Sequence, residues 1–327
     1  MAAIYSDDDV QPHTPSQADL WNESMYFVWY DDVAGAGGFH RFGYQPNRGT
    51  VNYQFGISTR SGRRYRRTRP LTRGNGRERI EGGFAIDDFV TVLHRPNGVW
   101  WRSKDDNVEF DILFEDFMPR YKAPELWGFR DSKEGILDAN ISDHYQLSGK
   151  VTGTCRLDGG VIDISCLGYR DHSWGVRDWS VLAPFRCFTA QFGPDLAVSY
   201  NTMVGSDGRR FTIGHVYSSG SVTRIVRGDL VVFQEFDGIT SRGSRAVVET
   251  ADGVRLSIEL EALDNIALEA DEFRSLFSVG SARMGSRMGI GSCEVFNGLA
   301  AKTAPAYVEG AALVDGLSSY RPFGTLR

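Results

Sequence analysis

Dipeptides of turn-forming type punctuate this 327-residue chain, among them Ser61-Gly62, Asn97-Gly98, Asp158-Gly159, Asp207-Gly208, Ser219-Gly220 and Asp252-Gly253. Such pairs tolerate the positive φ values that two-residue hairpin turns demand. Between them lie short runs in which apolar residues recur at every second position, as in Phe110, Ile112, Phe114 and Leu256, Ile258, Leu260. That period belongs to strands with one buried face. The segment Trp21–Tyr30 adds aromatic and β-branched density, and Val51–Ile57 alternates cleanly. The best helical candidate is Glu269–Phe277, where Asp271, Glu272 and Arg274 flank Phe273, Leu276 and Phe277. The pattern therefore predicts an all-β chain. One barrel of eight to ten strands uses roughly 120–180 residues, so this length accommodates two. The expected layout is a flexible N-terminal arm over 1–18, one barrel over 19–165 and a second over 166–327.

Hydrophobic residues make up 41% and charged residues 24%, as in an ordinary globular protein. The net charge of −6 argues against nucleic acid or an anionic membrane as the main partner. Between Arg60 and Arg79 arginines are dense, but Glu78, Glu81, Asp87 and Asp88 follow and only Tyr65 interleaves. A solvated or internally paired hairpin accounts for the run, with an anionic ligand as the alternative. Cys155, Cys166, Cys187 and Cys293 show no CxxC spacing and read as reduced core residues, which suits a cytoplasmic location. The acidic N-terminus carries no signal-like apolar run, and no stretch approaches the roughly 18 apolar residues of an integral membrane segment.

The stretch Gly168–Trp179 is the densest in chemistry, with one His, two Asp, two Arg and three aromatic residues. Charges and large rings so mixed imply a buried, internally paired cluster. If the segment is extended, His172 and Trp174 face the same side, an imidazole beside an indole. An imidazole moves protons near neutral pH, and an indole face can shield a cation. The same residues also suit a brace between sheets. Glu23, just ahead of an apolar strand, is a second candidate: in a barrel mouth, desolvation would raise its pKa and suit it to act as a general acid. The competing reading is an exposed strand start. Tyr200 on the run Leu196–Thr202 is a third, either lining the second barrel or simply packed within it. The six histidines, His13, His40, His94, His144, His172 and His215, have no metal-ligand spacing, so no metal site is expected. Nucleotide-binding and GxSxG signatures are absent from the sequence.

With Trp21-Asn22-Glu23-Ser24 and Asp171-His172-Ser173-Trp174-Gly175 in view, the chain resembles a superfamily. It comprises hydroxyneurosporene synthase (carotenoid 1,2-hydratase), AttH-like proteins and fungal lipocalin-like Diels–Alderases. The likeness spans residues from about 20 to 300 and is greatest to bacterial members without an assigned function. It implies two lipocalin-like (calycin-type) antiparallel β-barrels packed side by side, with a ligand cavity in a barrel mouth or between them. It also implies cofactor-independent hydration, dehydration, isomerisation or cyclisation of a hydrophobic small molecule. For the carotenoid hydratases the implied site is a His-x-Trp pair, matched by His172 and Trp174, and a downstream Tyr-x-Asp pair. The latter falls on Tyr200 and Thr202, so its carboxylate is missing. Either Glu23, Asp171 or Asp178 supplies the acid, or the reaction differs.

The combined expectation is a lyase or isomerase/cyclase on a terpenoid-like metabolite. His172, Glu23 and Asp171 are its catalytic candidates, and Trp174, Trp179, Tyr200, Trp21 and Tyr169 line its substrate. The rivals are a lipocalin-type carrier without catalysis, and a template cyclase in which cavity shape does the work. Converging His172 and carboxylate side chains would favour the enzyme; a purely apolar cavity would favour the carrier.

Overall fold

The computed structural model describes residues 3–123, 143–178, 185–204, 210–234, 240–270 and 273–298. All the long elements are strands, and the chain divides into two compact units, Met1–Asp178 and Trp179–Arg327. The first contains β1 (Trp21–Asp31), β2 (Ala36–Gln45), β3 (Thr50–Thr59), β4 (Arg64–Arg73), β5 (Arg79–Ile80) and β6 (Gly83–Ile86). It continues with β7 (Val90–Arg95), β8 (Gly98–Lys104), β9 (Val108–Asp116), β10 (Asp143–Leu157) and β11 (Gly160–Val176). They form one sheet in the order β4-β3-β2-β1-β11-β10-β9-β8-β7-β6-β5. The pairing of β1 with β11, first long strand against last, is the only non-sequential join. It draws β11 wholly into the first unit, so the strand runs through the seam expected at residue 165.

Odd-numbered positions of β1 and even-numbered positions of β9 share the inner face. Met25, Phe27 and Trp29 meet Phe110, Ile112 and Phe114 in one core with Phe42, Phe55, Phe84 and Trp101. Phe55 of β3 packs 5.6 Å from Phe110 of β9, although four strands separate them in the sheet order. The sheet is thus curled into a half-barrel whose interior is filled, like other small barrels, by side chains. Its two edges are not joined by a ladder among the described residues. Instead Tyr65 and Arg67 of β4 bond Asp105 in the β8–β9 turn, and Arg69 pairs with Asp87 at 3.0 Å. Several arginines of the dense run therefore have internal carboxylate partners.

The second unit is a closed barrel of β12 (Phe185–Gln191), β13 (Leu196–Val204), β14 (Arg210–Ser218), β15 (Ser221–Gln234), β16 (Ser241–Thr250), β17 (Arg255–Ala270), β18 (Phe273–Met284) and β19 (Arg287–Gly298). β19 pairs back to β12, which removes both sheet edges. The expected helix at Glu269–Phe277 is instead the end of β17 and the start of β18, paired from Ala270↔Phe273 through Ile266↔Phe277. Continuation of the ladder into a closed barrel overrides the local helical pattern.

Two expected hairpin dipeptides, Asp158-Gly159 and Ser219-Gly220, hold positive φ at both positions, as type I′ turns require. Asp207-Gly208 lies outside the described residues. All four cysteines are free. No helix among the described residues is long and apolar enough to cross a membrane.

The N-terminal segment is tied down rather than loose. Ile4 bridges Tyr121, a short 3-10 helix spans Asp7–Val10, and Val10 is buried. Arg79 donates to the carbonyls of Pro12 and His13, and Asn47 donates to those of Ser16 and Ala18. This path carries His13 over the open end of the half-barrel.

Candidate active site

Antiparallel register places Trp174 opposite both Glu23 and Asp143, and His172 opposite both Met25 and Tyr145. With period-2 alternation, Glu23, Tyr145, Arg170, His172 and Trp174 all face inward, one layer beyond the aromatic core. His172 is fully buried. Its Nε2 lies 2.9 Å from Glu23 Oε1, and its Nδ1 lies 3.0 Å from the Tyr145 hydroxyl. Glu23, equally buried, is held from its other side by His13. The His13 ring Nδ1 is 2.7 Å from Oε1, and its backbone N–H donates to both carboxylate oxygens at 3.1–3.2 Å. The His13 ring stacks on Trp174 with centroids 3.8 Å apart and planes 12° from parallel. Tyr5, also from the N-terminal segment, meets Trp174 edge-on and donates its hydroxyl to Asp143 at 2.8 Å. His94, from β7, stacks on His172 at 5.4 Å.

Beneath this layer lies a charged brace. Arg170, 1% exposed, donates Nε and Nη2 to the two oxygens of Asp116 at 2.9 and 2.8 Å. Its guanidinium lies 5.4 Å from the centroid of Tyr145 and 5.5 Å from that of Phe114. Asp116 also receives Arg120 at 3.2 Å. The stretch that reads in sequence as either brace or site contains a charged brace at Arg170, and the buried His172 lies two residues on.

The electrostatics follow from these contacts. Burial pushes the Glu23 carboxyl up, but hydrogen bonds from His13 and His172 outweigh it and hold the group below its ordinary range. Burial lowers His172 despite the pull of Glu23, so at neutral pH the pair is carboxylate and neutral imidazole. Burial raises Tyr145, which stays a phenol able to donate to His172. Glu23 is therefore held as a carboxylate, whereas its sequence context suggests a raised pKa. The carboxyl that burial does raise, to about 7, is Asp171. Asp171 points to the opposite face of β11, where it accepts the Tyr26 N–H at 2.9 Å.

Among the expected residues, Glu23, His172 and Trp174 are brought together. Trp21 begins β1 on the same face as Glu23 and is buried. Tyr169 shares the outer face with Asp171 and packs 5.8 Å from Tyr26. Tyr200 is fully buried in the core of the second barrel, a different unit from His172. Trp179 lies outside the described residues. Sequence reading missed Tyr145, His13 and His94. The β10–β11 hairpin at Asp158-Gly159 offers a signal for Tyr145, because counting back along its two arms pairs residue 145 with residue 172. His13 and His94 reach the site only through tertiary folding, and the histidines that look scattered in sequence converge. A cleft of about 340 Å³ opens beside this layer and is lined in part by Ile4, Tyr5, Asn97, Asp116 and Arg120.

A family model described as "Domain of unknown function (DUF7064)" matches residues 6–297. No curated protein matches the chain in sequence. Among solved structures, a candidate AttH from Nitrosomonas europaea is similar at 12% identity and TM-score 0.68, with 91% of this chain and 97% of that one covered. Kievitone hydratase from Nectria haematococca aligns at 9% identity and TM-score 0.57, covering 85% and 89%. CghA, solved with Sch210972, aligns at 12% identity and TM-score 0.53, covering 87% and 93%. At such identities the likeness establishes the fold alone.

Proposed function

The chain belongs to the DUF7064 family, and from that premise we propose that it is a lyase or isomerase/cyclase working by acid–base chemistry on a hydrophobic, terpenoid-like metabolite. The observation that carries the reading is the line Tyr145–His172–Glu23, hydrogen-bonded end to end without solvent exposure at the mouth of an aromatic interior. In it, Glu23 accepts a proton from the substrate. His172 holds that carboxyl by its Nε2 hydrogen bond so that the proton can be returned to the substrate, and Tyr145 hydrogen-bonds the far nitrogen and so sets the tautomer. Trp174 offers the flat face against which a cationic or planar intermediate lies. The name of one structural neighbour, kievitone hydratase, supports water addition or loss as the reaction class. The carrier reading predicts a purely apolar lining, and the convergence of Glu23 with His172 favours the enzyme over it.

A substrate screen tests this. Prenylated and terpenoid alkenes and tertiary alcohols are incubated with the protein in H₂¹⁸O, and products are followed by mass and retention time. Hydration shows as gain of labelled water, dehydration as loss of unlabelled water from the substrate, and isomerisation or cyclisation as a new peak of unchanged mass. Glu23→Gln and His172→Ala should each lower turnover by about 10²–10⁴-fold. Full turnover in both variants would remove the assignment.

A further inference from the structure

We propose that His13, Glu23 and His172 form a binding site for one divalent first-row transition-metal cation of the zinc or iron(II) class. One ligand atom from each residue lies within 4.8 Å of the other two. His13 Nδ1 and His172 Nε2 both converge on the same oxygen, Glu23 Oε1, at 2.7 and 2.9 Å. Around a cation with bonds of about 2.0–2.1 Å, tetrahedral ligand atoms sit roughly 3.4 Å apart. Each nitrogen therefore needs to draw back from Oε1 by only about 0.5–0.7 Å to admit the ion. Two imidazoles and one carboxylate favour zinc, iron(II) or manganese over calcium or magnesium, whose sites are built from oxygen.

Neutral imidazole bonds an ion through its unprotonated nitrogen, so His172 must carry its proton on Nδ1. That nitrogen already faces the Tyr145 oxygen at 3.0 Å, which can accept the proton as readily as donate its own. Transfer of the ring proton from Nε2 to Nδ1, with this hydrogen bond reversed, thus turns His172 from a donor to Glu23 into a ligand, and Tyr145 becomes the group that fixes the ligand's tautomer. No proton has to leave the protein from His172.

A second observation stands apart from the trio. His94 is 6% exposed, and neither of its ring nitrogens has a hydrogen-bond partner among the described residues. Leaving a buried polar group unpaired costs about 1–3 kcal/mol, and here the unpaired imidazole is stacked directly on a proposed ligand. A fourth nitrogen base held against the site is placed to complete the coordination of a bound ion or to bond a water on it. His13 Nε2 is likewise buried without a partner.

This inference goes beyond the functional reading and does not rest on it. A cation at Glu23 Oε1 takes the place of the two imidazole protons, so the proton line described above belongs to the cation-free protein. Binding is measured without turnover, and failure of either idea leaves the other standing.

The test uses the full chain, stripped with chelator and titrated with Co²⁺, a visible-absorbing probe for zinc-class sites. The expected result is one equivalent bound with the visible bands of low-coordinate Co²⁺, displaced by Zn²⁺. His13→Ala alters a residue outside the strands and leaves every ladder in place. It should weaken binding by about 100-fold or more, and His94→Ala by roughly 10–100-fold. Glu23→Gln should abolish binding; if that variant misfolds by circular dichroism, the His13 and His94 variants decide. Absence of stoichiometric binding, or binding unchanged by His13→Ala, overturns the proposal.

Discussion

The Arg170–Asp116 pair under the site offers a sharp test, because its two partners are not equivalent. Asp116 is bonded twice by Arg170 and once by Arg120. Among the described residues Arg170 bonds no carboxylate but Asp116, and its buried Nη1 has no partner there. Asp116→Asn keeps the shape and removes the charge, leaving a guanidinium of 1% exposure uncompensated. Breaking such a buried pair costs about 3–5 kcal/mol. Arg170→Met instead leaves Asp116 with Arg120 as counter-charge and should cost less, about 1–3 kcal/mol. The double variant removes both charges and should be more stable than Asp116→Asn alone. Unfolding entropy near 2.1 cal/mol/K per residue gives roughly 0.4 kcal/mol per kelvin for the unit Met1–Asp178. A 4 kcal/mol loss then lowers its Tm by about 10 °C. Urea titration and calorimetry of the four proteins provide the cycle. If Arg170→Met costs as much as Asp116→Asn, or if the two effects simply add, the pair is not the coupled brace described above.

Other sites give further expectations. His215 in the second barrel is held down to about 4 by burial. Both states are neutral above the ordinary histidine value of 6.5, and below it only the unfolded chain gains the proton. Stability of that unit should therefore fall by about 3 kcal/mol as pH drops from 6.5 to 4, and His215→Gln should flatten the loss in denaturant midpoints across that window. Asp171 has the opposite sign. Its native carboxyl, raised to about 7 from 3.8, loses stability on the order of 4 kcal/mol as pH rises between those values. Asp171→Asn should accordingly raise Tm at pH 8, leave it unchanged near pH 4 and spare turnover; a lower Tm at pH 8 would contradict the assignment. Gly149→Ala would set a Cβ 2.2 Å from Phe114 Cε1 and 2.3 Å from the Glu115 carbonyl, so it should destabilise the first unit by at least about 2 kcal/mol in urea.

The class of fold is readable because strand period and turn chemistry are local. The alternation through Val51, Tyr53, Phe55 and Ile57 places all four in the core, and Asp158-Gly159 adopts the turn its composition predicts. The unit boundary is less accessible, because the β1–β11 pairing joins residues some 145 positions apart and no local pattern announces it. The same ladder explains the helix expected at Glu269–Phe277. Its charged and apolar residues fit a helix as well as a strand, and the barrel decides. The N-terminal segment fails for a related reason. Its polar, proline-containing sequence reads as an arm, yet main-chain bonds from Arg79 and Asn47 fix it across the half-barrel.

At the site, strand parity separates what sequence proximity joins. Asp171 and His172 are neighbours in the chain, and both looked like candidates for one reaction, but alternation sends them to opposite faces of β11. Burial acts on the two carboxyls alike. Glu23 ends below its ordinary range because two imidazoles bond it, and Asp171 ends near neutrality because a backbone N–H and more distant arginines compensate it less fully. Desolvation alone, the reasoning available from sequence, predicts a raised Glu23 and so assigns it the role of acid. The partners hold it as a carboxylate instead, and those partners, His13 and His172, lie 10 and 149 residues away from it. The ionisation state of a buried carboxylate is therefore set by which donors the fold delivers to it. In this chain the decisive donor comes from the segment least expected to be ordered.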